Sequence, residues 1–315
     1  MNPMKLKTVT RTQGNNQALK DGSVVPVGFE FAFEDVPVLI DAFRRMVRNL
    51  EYDVSEMALT TYVCARAHGK RMTALPIFLV RAFHHGAIVV NRDAGIRHPK
   101  DLEGRRVGVN RGYTVTTGLW ARSVLQHQYG VDLKKITWVL SGDEHVAEYR
   151  PPANVVPIEP GRKMADMVVS GELAGAIGVE IDAAHVGPLI ADPAQAGLDA
   201  LQSSGHYPIN HLVVVKDELL AAHPEIGPAV FEAFAESKRR YVARLSAAAI
   251  EKPTAVDEMH RRVMAITGAD PLPYGIEPNR RMLEQAIASA HEQGIIERPV
   301  ALESLFPANT HSLVA

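Results

Sequence analysis

The chain has 315 residues, 46% hydrophobic and 22% charged, with 34 basic against 36 acidic side chains and a formal net charge of -2. That length supports two lobes with a substantial core, and the near-neutral balance argues against nucleic acid or an anionic membrane surface as a partner. The single cysteine, Cys64, excludes an internal disulfide, and no apolar run reaches the ~18 residues that a membrane span needs.

Met1 to Thr10 lack the apolar stretch of a secretory signal, so the expected location is cytoplasmic. A strand is predicted over 6–10. Asp35 is placed to cap a helix whose Val36, Leu39, Ile40, Phe43, Met46, Val47 and Leu50 share one stripe. A short strand over 52–54 leads into a second helix, capped by Ser55 and stopped by Gly69. Cys64 falls on that helix beside Tyr62, Val63 and Ala65 and reads as a small buried hydrophobe. The runs 73–79 and 87–90 read as buried strands. They complete the first part of one lobe, expected over 1–91.

A second lobe, expected over 92–212, begins with Pro99-Lys100-Asp101-Leu102-Glu103-Gly104-Arg105-Arg106-Val107-Gly108-Val109-Asn110 and then Arg111-Gly112-Tyr113-Thr114-Val115-Thr116-Thr117. A strand over 106–110 runs into a bend rich in Gly and Thr, and a helix follows over 114–129. Unpaired N–H groups and the positive end of the helix dipole make such a bend a seat for a carboxylate. Further strands are expected over 136–140 and 174–179, with a helix over 162–170 after a Pro-rich loop. The apolar strand 211–216 returns the chain to the first lobe, which 213–315 completes with helices over 228–245, 255–266 and 279–293. Strands alternating with helices give an α/β fold, each lobe a mainly parallel sheet flanked by helices and the two joined by a two-strand hinge. Ligands in such folds sit beside strand ends and helix starts.

Several segments carry a family resemblance: Asp53-Val54-Ser55-Glu56, Pro76-Ile77-Phe78, Arg81-Ala82-Phe83-His84-His85, Asn91-Arg92-Asp93-Ala94-Gly95-Ile96, Ser170-Gly171-Glu172-Leu173, Pro208-Ile209-Asn210-His211, the run from Pro271 to Arg280, and His291-Glu292-Gln293-Gly294. Together with the segment from Pro99 to Gly108 they resemble the 4,5-dihydroxyphthalate decarboxylase family along nearly the whole chain. The stretch from Leu102 to Gly108 is shared with the solute-binding proteins of ABC transporters and by itself indicates only fold. The resemblance implies a two-lobed fold like that of type II periplasmic binding proteins, with a small aromatic dicarboxylate as substrate. The sequence departs from the pattern at Glu180-Ile181-Asp182 and over 185–205.

A decarboxylation of this kind needs groups that hold carboxylates and a proton donor; the ring is its own electron sink, so no cofactor is expected. Histidine suits the acid and base roles. Arg81 is the candidate carboxylate clamp, because guanidinium matches carboxylate bidentately; the alternative is a surface arginine at a strand end. His84 and His85 are candidate catalytic groups, with family register favouring His85; the alternative for each is a hydrogen-bonded loop histidine. Tyr113, Thr114, Thr116 and Thr117 are placed to bind a second carboxylate, against simple capping by Thr114. His211 is the candidate proton donor to the ring, with Asn210 beside it; the alternative is a hinge residue. Ser55 and Glu56 are candidates for contact with substrate hydroxyls, against capping and dipole roles. Glu180, Asp182 and His185 read as a solvated turn, and no metal site is expected. A homo-oligomer is compatible with the sequence. A solute-binding protein or a cytoplasmic sensor for a small carboxylate is the competing function; a thiamine-pyrimidine synthase is set aside because that family relies on a cysteine-rich iron motif.

Overall fold

The computed structural model describes residues 3–315, which form two compact units. The first comprises residues up to Arg81, Ile209–Glu284 and Val300–Ala315; the second comprises Ala82–Pro208 and Gln285–Pro299. In chain order the elements are β1 (Met4–Val9), α1 (Gln17–Lys20), β2 (Phe29–Phe33), α2 (Leu39–Asn49), β3 (Val54–Ala58), α3 (Leu59–Ala67) and β4 (Met72–Arg81). Then come β5 (Ile88–Asn91), β6 (Arg106–Val109), α4 (Thr116–Tyr129), β7 (Thr137–Leu140), β8 (Val155–Pro157), α5 (Met164–Val169), β9 (Gly175–Ile177), β10 (Val186–Pro188) and α6 (Pro193–Ser204). The chain closes with β11 (Ile209–Lys216), α7 (Asp217–Ala222), α8 (Ile226–Ser246), α9 (Ala255–Thr267) and α10 (Arg280–Glu292).

The first unit holds a five-stranded sheet in the order β2-β1-β3-β11-β4. β11 runs antiparallel to both of its neighbours, while β1 pairs in parallel with β2 and β3. The run Leu212-Val213-Val214-Val215 has no exposed surface. A strand covered on both faces needs such an unbroken apolar run, which is why it stands out in the sequence. The second unit holds a six-stranded sheet, β10-β5-β9-β6-β7-β8, in which β5 is the reversed strand. Its core includes Val139, Met164, Met167, Val168, Leu173 and Ala176. In each sheet, the reversed strand is the first that follows the passage of the chain from the other unit. The fold class is thus the expected two-unit α/β architecture of mainly parallel sheets.

Three local expectations are corrected. Ser55 and Glu56 do not open a helix: both lie within β3, fully buried, and α3 starts at Leu59. Two polar residues before an apolar run look like a cap, but pairing with β1 and β11 keeps this segment extended. Helix α4 starts at Thr116 behind Val115, not at Thr114, whose hydroxyl is engaged elsewhere. The unit boundaries fall at 81/82 and 208/209 instead of 91/92 and 212/213. β5 pairs with β9 and β10 in the second sheet, a partnership that hydrophobicity alone does not encode. Residues 285–299 also join the second unit, where Ser289 Oγ lies 3.1 Å from Ser123 Oγ and Gln293 Nε2 donates to the Leu119 carbonyl at 3.1 Å.

Gly175 sits in β9 between β5 and β6, where a Cβ would overlap the Val89 carbonyl oxygen and press on Val90. Backbone cannot yield as a side chain can, so Gly175→Ala is expected to destabilise the protein by about 1–3 kcal/mol. A lowered urea midpoint with unchanged slope is the expected result.

Candidate functional site

In the first sheet the carboxyl ends of the parallel strands lead into Thr10 and Arg11 after β1, Glu34 and Asp35 after β2, and Arg81 at the end of β4. The start of the reversed strand β11, with Asn210 and His211, lies at the same edge, since Ile209 pairs with Arg81 and His211 with Ala58. This is the edge at which open α/β sheets bind ligands. Glu56 is the centre of it. Its side chain is fully buried. An unpaired buried carboxylate costs several kcal/mol, so it must collect donors. It accepts the Arg11 backbone N–H at 2.8 Å, and Gln13 Nε2 lies 3.4 Å from both of its oxygens. Its shortest partner is His211 Nδ1, at 2.6 Å.

Register explains that pairing. Glu56 faces Val213 across the antiparallel ladder, and His211 stands two residues from Val213 on the same face. Irregular pairing of β11 with β4 around His211 adds a local bend, a feature common where a strand re-aims a side chain. The ring of Phe43, from α2, meets the His211 ring edge-on with centroids 5.2 Å apart. Glu56 holds Nδ1 and Phe43 steadies the ring, so Nε2 is the ring nitrogen that this contact leaves unengaged by Glu56; the side chain is 21% exposed. Neither residue alone reveals this pair in the sequence, because 155 positions separate them. Ser55, next to Glu56, is buried with its hydroxyl donating to the Glu56 carbonyl at 2.7 Å. Asn210 is buried on β11.

Arg81 is mostly buried and its Nη2 donates to Asn279 Oδ1. Asn279 Nδ2 in turn donates to the carbonyls of Pro273 and Gly275, each at 2.8 Å. The turn between Pro271 and Arg280 therefore orients Arg81 through Asn279, a link that sequence reading missed. Nearby, buried Lys238 pairs with Asp270 and lies 4.8 Å from the Tyr274 ring centre. Burial pushes its ammonium below the usual lysine range against the pull of Asp270. Tyr241 donates its hydroxyl to Asp257 at 2.6 Å and contacts His260 Nδ1 at 2.8 Å.

In the second unit, two of the residues expected to seat a carboxylate, Tyr113 and Thr114, hold one that the chain itself supplies. The Glu144 carboxylate accepts the Tyr113 N–H, the Thr114 N–H at 3.2 Å and the Thr114 hydroxyl at 2.6 Å. Tyr113 offers its ring elsewhere: the fully buried Arg122 guanidinium stacks over it at 3.7 Å. Thr116 is buried at the start of α4 and Thr117 follows it, half-buried. His84 and His85 are both buried. His85 has no exposed surface, its Nε2 contacts Gln128 Oε1 at 2.8 Å, and burial pushes its pKa down. Family register favours it for catalysis, and it opens the 3-10 turn His85–Ala87. His185 Nε2 lies 3.0 Å from the Val169 carbonyl, and among the described residues no three His, Cys, Asp or Glu side chains converge as a metal site. Among the described residues no helix is long and apolar enough to cross a membrane.

Burial lowers the His260 pKa from 6.5 to about 4, so its imidazole is neutral in the fold near neutrality. The unfolded chain then binds more protons between those two values. Stability due to His260 is full above about pH 6.5 and declines as pH falls towards 4. Proton NMR is expected to show His260 untitrated down to pH 6, and His260→Asn is expected to flatten the acid limb of the stability profile.

Comparison with known proteins adds the family. A model of the periplasmic substrate-binding proteins of phosphonate ABC transporters matches residues 27–236. A 4,5-dihydroxyphthalate decarboxylase of Comamonas testosteroni is 29% identical over 99% of both chains. One of Pseudomonas putida is 31% identical over 56% of this chain and 71% of its own length. Among solved structures, the alkanesulfonate-binding protein SsuA of Xanthomonas axonopodis, bound to MOPS, superimposes with a TM-score of 0.53 at 14% identity, covering 98% of this chain and 99% of its own. The desulfurization enzyme DSZB gives 0.55 at 16% identity over 96% of each chain. At those identities the structures speak for the fold alone. The chain belongs to the wide family of phosphonate-type periplasmic substrate-binding proteins and, within that fold, to the 4,5-dihydroxyphthalate decarboxylase family.

Proposed function

We propose that this protein is a cofactor-independent decarboxylase of a hydroxylated aromatic dicarboxylate, with 4,5-dihydroxyphthalate as substrate and protocatechuate as product. The observation that carries the reading is the His211–Glu56 pair, at 2.6 Å, on a chain similar from end to end to a protein bearing that name. Each carboxylate of such a substrate is para to a hydroxyl. Once that hydroxyl is ionised, its electron pair raises electron density on the carbon bearing the carboxylate. The protonated His211 delivers its Nε2 proton to that carbon, and a carbon–hydrogen bond forms. The carbon–carboxylate bond then breaks, its electron pair restores the aromatic ring, and CO2 leaves. The net change consumes one proton per carboxylate lost. Glu56 stabilises the imidazolium that precedes the transfer and fixes which nitrogen carries the mobile proton. Arg81, oriented by Asn279, holds a carboxylate of the substrate. The chemistry asks for no electron sink beyond the ring, and we place the protein in the cytoplasm, in aromatic-compound degradation.

The match to substrate-binding proteins favours a second reading, a receptor or sensor for a small carboxylate. Turnover separates the two. Incubation with 4,5-dihydroxyphthalate is expected to release CO2 without added cofactor; tight binding with no CO2, across a panel of hydroxylated aromatic acids, assigns the receptor role instead. His211→Ala is expected to lower kcat by about 100-fold or more with little change in KM, as for loss of a general acid. Arg81→Ala is expected to raise KM chiefly. Wild-type kinetics in both variants would remove these two residues from the site.

A further inference from the structure

The loop after β6 and the loop after β7 are joined by several hydrogen bonds, three of them to one side chain. Glu144 brings a carboxylate to the Tyr113 and Thr114 amides and to the Thr114 hydroxyl. Gly112 leaves the space for it: a Cβ at that position would lie 2.5 Å from Glu144 Oε2. The residue before, Arg111, is held at φ 70°, in the left-handed region, with its N–H on Ser141 Oγ at 2.8 Å. Three donors, a backbone turned to present them and a missing Cβ thus converge on a carboxylate that the protein supplies itself. Thr114 is 1% exposed and Tyr113 3%, so its donors are met by the chain rather than by water.

We infer that Glu144 is a specificity-determining residue: by occupying the Tyr113–Thr114 donors it denies them to anions, so that the second unit of the wild-type protein takes no ligand carboxylate there. An incoming carboxylate would have to expel a tethered one that is always present, and its apparent affinity falls by the small fraction of time for which the donors are free. The prediction runs opposite to the bare sequence, in which the same residues look like an open anion seat. It concerns binding, not turnover, and stands whether the protein is a decarboxylase or a receptor.

The test uses phthalate, which has both carboxylates and no hydroxyl, and acetate as a minimal carboxylate. The backbone amide resonances of Tyr113 and Thr114 report on the seat. In the wild-type protein they are expected to stay in place as either probe is titrated, even where phthalate binds elsewhere. In Glu144→Ala they are expected to move in a saturable way, with the apparent affinity of this seat raised by about tenfold or more. Added acetate is also expected to restore part of the thermal stability that the variant loses. A purely structural role for Glu144 would cost stability without creating binding. Should Glu144→Ala not fold, Glu144→Ser keeps a polar residue but is too short to reach the donors, and the same movement is expected. Movement of the wild-type Thr114 amide at the concentrations that move it in the variant would overturn the inference, as would a folded variant whose amides ignore both probes.

Discussion

A carboxylate with no access to water, on a strand inside a sheet, is the constraint around which the first unit is arranged. Glu56 has to find donors or lose its charge, and the polypeptide supplies them from three places: the amide of Arg11, the amide group of Gln13 and the ring of His211. Each donor fixes something larger. The Arg11 contact pins the loop that leaves β1. The His211 contact settles which ring nitrogen Glu56 engages. Hydrogen bonds to a buried charge are worth more than neutral ones, about 1.5–3 kcal/mol each, and removal of one partner leaves the charge uncompensated. The same arrangement that satisfies the buried carboxylate therefore also orients the His211 ring.

The second unit answers an equivalent problem in the opposite way. Beyond the carboxyl end of β6 it has backbone donors that need an acceptor, and Glu144, from the loop after β7, supplies one. In the first unit a buried carboxylate gathers donors, a histidine among them; in the second a carboxylate is held so that donors are satisfied. Both are first-turn problems of α/β proteins, in which strands end and the chain must reverse with its polar backbone partly exposed. Arg81 shows a third solution. Its guanidinium is steadied by Asn279, and Asn279 by two carbonyls of a turn built on Pro271, Pro273 and Gly275. A motif that looks architectural is thereby joined to a candidate binding residue.

Much of the frame is legible in the residues. The apolar run of β11, the helical stripe of α2 and the alternation of strands with helices follow from hydrophobic period and burial, which are local properties of the chain. The presence of a carboxylate seat after β6 is legible too, because Gly and Thr at a strand-to-helix bend leave amides without partners. Ser55 and Glu56 are the instructive failure. Their types favour a helix cap, and only the neighbouring strands on both sides make the extended state the better one.

By itself the sequence determined the fold class, the family, the inventory of candidate groups and the places where the backbone would need an acceptor, since each of these depends on residue type and short-range order. Tertiary structure decided which groups meet. His211 finds Glu56 across 155 positions because β11 returns between β3 and β4, and Glu144 finds the Tyr113 and Thr114 amides because β7 lies beside β6. Strand pairing at that separation is chosen by the packing of whole sheets, so no local pattern records it.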